Sequence, residues 1–240
     1  MNLRHDRSAG LVFFAALGAL VVGPTVHAAA AAPSPASGHA EVIAQGVVTF
    51  ADGPAHWTLT VDAVTETVST IPSAAPAFLL SDGPAAVVVA DPTGPLARLA
   101  PGEALFRSGG APTDLSTAPA STGQISEIAV VAGSGPDEFT PGPGVRDVDL
   151  VRDVVATNEA LILNAEVSAF VIVSQGAVVA GGSTITAGSA VAITGNITLI
   201  NTAAEPAIVA VAVIVAYLAG FIPLYRLAGT DVLQLALALV

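Results

Sequence analysis

The 240-residue chain carries seven basic side chains against 19 acidic ones, a formal net charge of −12, and has no cysteine. Every basic residue is an arginine, which excludes Schiff-base chemistry, P-loop phosphate binding and Ser-Lys nucleophile pairs together. The acidic balance repels nucleic acid, whose binding needs basic contacts, and without disulfides the core alone must hold the fold.

Residues 1–28 are predicted to be a secretory signal peptide. Arg4 and Arg7 make a positive start, residues 11–22 are apolar, and Val26-His27-Ala28 places small residues three and one before a cut. The apolar run is short for a membrane span of about 20 residues. A secreted product, free or at the cell surface, is expected to begin at Ala29. Residues 29–40, rich in Ala, Pro and Ser, are predicted to be a flexible leader.

From Glu41 onward, short runs of Val, Ile and Thr alternate with clusters of Gly, Pro, Asp and Ser. Val47-Val48-Thr49-Phe50, Trp57-Thr58-Leu59-Thr60-Val61, Ala86-Val87-Val88-Val89 and Ile128-Ala129-Val130-Val131 are examples. No stretch between 41 and 200 keeps a helical period over three turns, so the expected class is all-β. An internal repeat runs through these strands. Leu59-Thr60-Val61-Asp62-Ala63-Val64 resembles Leu150-Val151-Arg152-Asp153-Val154-Val155. Ala77-Phe78-Leu79-Leu80-Ser81-Asp82-Gly83 resembles Ala169-Phe170-Val171-Ile172-Val173-Ser174-Gln175-Gly176. Leu99-Ala100-Pro101-Gly102-Glu103-Ala104, closing on Gly109, resembles Ile185-Thr186-Ala187-Gly188-Ser189-Ala190, closing on Gly195. The expected organisation is one copy over 41–135, a Pro/Gly linker over 136–145, a second copy over 146–216 and an apolar tail over 217–240.

Within each copy the pattern resembles the cupin superfamily. Phe78-Leu79-Leu80-Ser81-Asp82-Gly83 is similar to the aromatic strand and turn of its first motif, and Pro101-Gly102-Glu103-Ala104 followed by Gly109 to the turn of its second. Residues 170–176 and 188–195 repeat both. The resemblance implies two tandem double-stranded β-helix barrels, a bicupin-like arrangement. It does not carry the family's metal chemistry. The stretches before Phe78 and Phe170 hold no histidine, and Pro112 and Thr198 stand where the last histidine of the family would be. A transition-metal site needs three or four protein ligands, so neither a metal nor another cofactor is expected.

The remaining chemistry is thin. His56, beside Trp57, could be drawn into a triad with Asp52 or Asp62, but reads as a strand-end histidine. Asp147, Asp149 and Asp153 could join a calcium site; their alternation with apolar residues reads instead as a solvated strand face with local ion pairs. Asn196-Ile197-Thr198 fits a glycosylation sequon. No catalytic residue is assigned. The expected function is a non-catalytic exported protein that binds a small apolar ligand or serves as a structural surface component. Two alternatives stay open: a metal-independent isomerase- or lyase-type enzyme using Glu103, Glu159 or Glu166, and a surface protein anchored through residues 206–225. The second rests on an uncharged run close to the length of a membrane helix, followed by Arg226. Its β-branched richness and the break at Gly220 and Pro223 favour a buried strand, leaving residues 232–240 for self-association or membrane contact.

Overall fold

The computed structural model describes residues 34–35, 40–72 and 75–216. The predicted signal peptide, nearly all of the leader and the tail at 217–240 lie outside the described residues. Those described form strands and turns, with no helix among them, so none is long and apolar enough to cross a membrane. In chain order the strands are β1 (Ser34–Pro35), β2 (Glu41–Phe50), β3 (Ala55–Val64), β4 (Ser69–Ile71), β5 (Ala77–Ser81), β6 (Val87–Asp91), β7 (Gly94–Leu99), β8 (Ala104–Arg107), β9 (Thr113–Thr117) and β10 (Gly123–Ala132). They continue with β11 (Gly144–Val155), β12 (Glu159–Gln175), β13 (Ala177–Ala180), β14 (Ser183–Thr186), β15 (Ala190–Ile200) and β16 (Ala207–Ala216). The all-β expectation is met.

Three sheets result. The first half makes two four-stranded sheets, β3-β10-β5-β8 and β4-β9-β6-β7. The second half makes one large sheet, β14-β13-β15-β12-β16-β11-β2, with β1 paired to β12. The strand order β3-β10-β5-β8 is matched by β11-β16-β12-β15, and so is the register. Phe78 stands opposite Ile128 and Phe106, and Phe170 stands opposite Ala212 and Ala192. Hydrogen-bonded pairing does not close either half into a ring, and β2, from the start of the first segment, pairs with β11 of the second.

Proline and glycine explain why one half has two sheets and the other one. Pro72 and Pro76 separate β4 from β5, and Gly109, Gly110 and Pro112 separate β8 from β9. A proline cannot donate to a ladder, so those strands end. Residues 159–175 and 190–200 contain no proline, and Gly195, at φ 75°, lies inside β15 without ending it, so β12 and β15 run through. Their ladder shifts register between Ala165 and Ala169, a bulge that lets the sheet bend without ending.

Each sheet face then finds a core. Leu163, Val171, Val173, Val209 and Val211 share a cluster inside the curved large sheet. Trp57, Phe78, Leu80 and Ile128 of the β3-β10-β5-β8 sheet pack on Leu150, Phe170, Ile172 and Ala212 of the large one. Val64, Leu79 and Ile125 meet Val87, Val89 and Leu115 between the two first-half sheets. β16 therefore lies between β11 and β12 with both faces covered, which accounts for its unbroken apolar run. Residues 207–216 are this strand; residues 217–225 lie outside the described residues.

The aromatic side of the middle layer needs small residues opposite it. Gly46 on β2 is one: a Cβ there would lie 2.1 Å from Cδ1 of Phe106, itself in edge contact with Phe78 at a centroid distance of 5.3 Å. Gly46→Ala is expected to destabilise the protein by about 1–3 kcal/mol, as overpacking does. Phe106→Leu in the same chain should recover part of that loss in urea unfolding. An unchanged midpoint in Gly46→Ala would show that the ring moves aside freely.

Candidate ligand-binding site

The break between β8 and β9 opens a cavity of about 330 Å³ in the first half. Positive φ angles at Gly109 (88°) and Gly110 (91°) carry the chain away from the sheet, a conformation glycine adopts without a steric penalty. Leu79, Val89 and Leu105 supply apolar wall, Asp91 and Pro112 also line the space, and Arg107 and Thr113 stand at the two ends of the break.

Arg107 closes β8 opposite Ala77. Alternation along the strand places it on the same face as Leu105, the face that packs between the two first-half sheets. It is 9% exposed. Its Nη2 donates to Glu127 Oε1 in an ion pair, and Glu127 is itself largely buried on β10. Its Nη1 donates to Thr113 Oγ1 at 3.2 Å. Its Nε–H is buried and has no partner. Asp91 adds negative charge: bonds from the hydroxyl and then the backbone N–H of Thr93 hold its carboxyl below the usual range.

The second half occupies the same register positions with hydrocarbon. Ile193 stands opposite Ala169 as Arg107 stands opposite Ala77, and Val211 opposite Val171 as Glu127 opposite Leu79. Ile197 stands opposite Leu163 as Thr113 opposite Ile71. The polar cluster is thus particular to the first half. Neither Arg107 nor Glu127 stands out in the sequence until the two halves are compared position by position.

The residues weighed from the sequence fall elsewhere. His56 Nδ1–H donates to the Gly133 carbonyl at 3.1 Å, at the head of β3. Glu103 accepts from Ala100 N (2.8 Å) and Glu159 from Ala156 N (3.0 Å), each folded back on its own turn. Glu166 lies within β12. Thr198 is exposed on β15, and so is Asn196 of the sequon. The solvated-face reading of β11 is corrected: Asp149 and Asp153 are 3% and 2% exposed. By alternation they share a face of β11 with Val151 and Val155, which belong to the core cluster inside the large sheet. Gln45 Nε2 donates to Asp149 Oδ1 at 3.1 Å and Val154 N to Asp153 Oδ1 at 2.7 Å. Arg152 bonds Glu41 (2.7 Å) and the Gly102 carbonyl (3.0 Å).

Among the described residues no three His, Asp or Glu side chains gather where they could hold a metal ion. The inward polar groups of the first half are a guanidinium, a carboxylate and hydroxyls without an imidazole, a donor set that does not fit the transition-metal centre of the cupin family.

In overall structure the chain is similar to AerE from Microcystis aeruginosa, with TM-score 0.51 and 8% identity over 76% of this chain and 98% of that one. It is also similar to YhaK from Escherichia coli (0.48, 13%, over 70% and 93%). A third is a cupin 2 conserved barrel domain protein from Leptotrichia buccalis (0.42, 10%, over 70% and 89%). No known protein family and no curated protein matches the sequence. At identities this low the likeness is one of fold alone: the chain is an all-β protein similar in overall structure to AerE.

Proposed function

We propose that this is an exported, non-catalytic binding module that holds a small, mainly apolar molecule in the cavity of its first half. The observation that carries the reading is the Arg107–Glu127–Thr113 cluster beside that cavity, set against Ile193, Val211 and Ile197 at the same positions of the second half. A purely structural protein has no need of the difference, because hydrocarbon at these positions packs well and costs no desolvation. An enzyme working by paired carboxylates needs two of them converging on the cavity. Glu103 and Glu159 are both held by their own turns.

The reading is tested on protein recovered from the medium or cell surface of an expressing host. Its N-terminus is expected near Ala29, and native mass spectrometry should show a small organic molecule carried one per chain. Retention of residues 1–28 would sink export. A chain that carries no such molecule, and whose melting temperature no small apolar compound raises, would sink the binding role.

A further inference from the structure

We infer that a second cavity, between the two halves, takes a small organic monocation: a primary ammonium with an apolar body. The cavity has a volume of about 410 Å³ and shares no lining residue with the first-half cavity. It lies where the buried Leu80 and Ala210 of the middle layer give way to the exposed Glu41, Pro101 and Gln175. Its walls differ in kind. Val154, Ile208 and Ala210 of the large sheet line it with hydrocarbon, whereas Asp82, just past the end of β5, lines it from the first half.

The bonding of Asp82 fixes where its carboxylate lies. Ser126 stands opposite Leu80 across the ladder, so the two share a face, the one whose Leu80 and Ile128 pack on the large sheet. Ser126 Oγ donates to Asp82 Oδ2 at 2.7 Å, and Gln124 Nε2 donates to Oδ1 at 3.1 Å. Two neutral donors of β10 therefore hold the group on the cavity's side of the sheet. A carboxylate accepts about four bonds, so both oxygens keep capacity for a further donor. The second half lacks this wall: Ala210 stands opposite Ile172 as Ser126 stands opposite Leu80.

Charge then selects the ligand. Among the described residues Arg152 is the one cation on this lining, and it is already engaged. Its Nη2 pairs with Glu41 at 2.7 Å and its Nη1 donates to the Gly102 carbonyl at 3.0 Å. Two acids and one base leave a single net negative charge, at Asp82, on a chain whose net charge is −12. A carboxylate ligand is repelled. An alcohol can bond Asp82 but leaves its charge unanswered. A diammonium carries a second cation onto the hydrocarbon wall, where it finds no partner. A monoammonium answers the one charge and lays its apolar body on Val154, Ile208 and Ala210.

The test compares four probes of equal length by isothermal titration calorimetry with the full chain at neutral pH and low salt: octylammonium, octane-1,8-diammonium, 1-octanol and octanoate. Val154→Trp fills the cavity, so the binding it removes is the binding counted. Octylammonium is expected to bind there at least tenfold tighter than each of the others. Asp82→Asn, which removes the charge and keeps the size, should weaken octylammonium at least tenfold. Ser174→Asp adds a second carboxylate to the same lining and should raise the affinity of the diammonium at least tenfold, a gain that a misfolded variant cannot show. Octylammonium binding that is absent, or unchanged in Val154→Trp, overturns the cavity as a site. A preference below tenfold, or an affinity unchanged in Asp82→Asn, overturns the ammonium assignment. Unchanged diammonium affinity in Ser174→Asp overturns the charge count that selects a monocation. The first-half cavity is untouched by all three variants, so these outcomes leave its reading separate.

Discussion

Arg107→Ile alone is expected to destabilise the protein by about 3–5 kcal/mol, and Glu127→Val alone by a similar amount, because each leaves the other charge buried and unpaired. Making both changes together should leave stability within about 1 kcal/mol of the original, or raise it, since a buried ion pair replaced by hydrocarbon of similar shape loses no net stability. The second half demonstrates the substitution: Ile193 and Val211 pack at these same register positions, 4% and 0% exposed. In a chain of this size about 3–5 kcal/mol corresponds to roughly 10 °C of melting temperature, well outside measurement error. Urea unfolding of the four proteins of the cycle gives the coupling directly. A double variant that loses the sum of the two single losses would show that Arg107 and Glu127 are uncoupled and that each stabilises the protein on its own, and would remove the main support for a binding role.

How far the fold could be read in advance depended on where the information lay. β16 was readable because Ile208, Val209, Val211, Val213, Ile214 and Val215 are β-branched and crowd a helix, whereas both faces of a central strand accept them. The partnership of β2 with β11 was not. It joins residues 41–50 to residues 144–152, and no local preference specifies a pairing over that distance. Asp149 and Asp153 misled for a related cause. Alternation of charge with hydrocarbon is the ordinary mark of a solvated face, but the face that Asp149 and Asp153 share with Val151 and Val155 turns into the core inside the large sheet. The candidate site was the least readable part. A lone arginine at a strand end looks like a surface residue. What marks Arg107 is the contrast with Ile193, and that appears only once the register of both halves is known.

Trp57→Ala should produce the other large effect, a loss of about 3–5 kcal/mol from truncating a large buried side chain. Trp57, the only tryptophan of the chain, is 5% exposed and projects from β3 toward the large sheet. Its ring stacks on Phe170 of β12 at 5.9 Å with 14° between planes, and leans on Phe139 at 6.0 Å. Its Nε1–H donates to Ser168 Oγ at 3.1 Å, and Ser168 is 2% exposed. One side chain therefore ties the first half to the second by both area and a buried hydrogen bond. Truncation removes the area and leaves the Ser168 hydroxyl unpaired, the second of which costs about 1–3 kcal/mol by itself. The two contributions can be separated. Trp57→Phe keeps most of the ring contact and loses the bond; Ser168→Ala keeps the ring and orphans the indole N–H. Both should be milder than Trp57→Ala. Calorimetry of Trp57→Ala is expected to show one transition at a melting temperature roughly 10 °C lower. The remaining layer, with Phe78, Leu80, Ile128, Leu150, Phe170 and Ile172 still buried in it, keeps the halves cooperative. Loss of less than about 1 kcal/mol would mean that the indole contributes little to joining the two halves. Two separate transitions would mean that it alone makes them unfold as one.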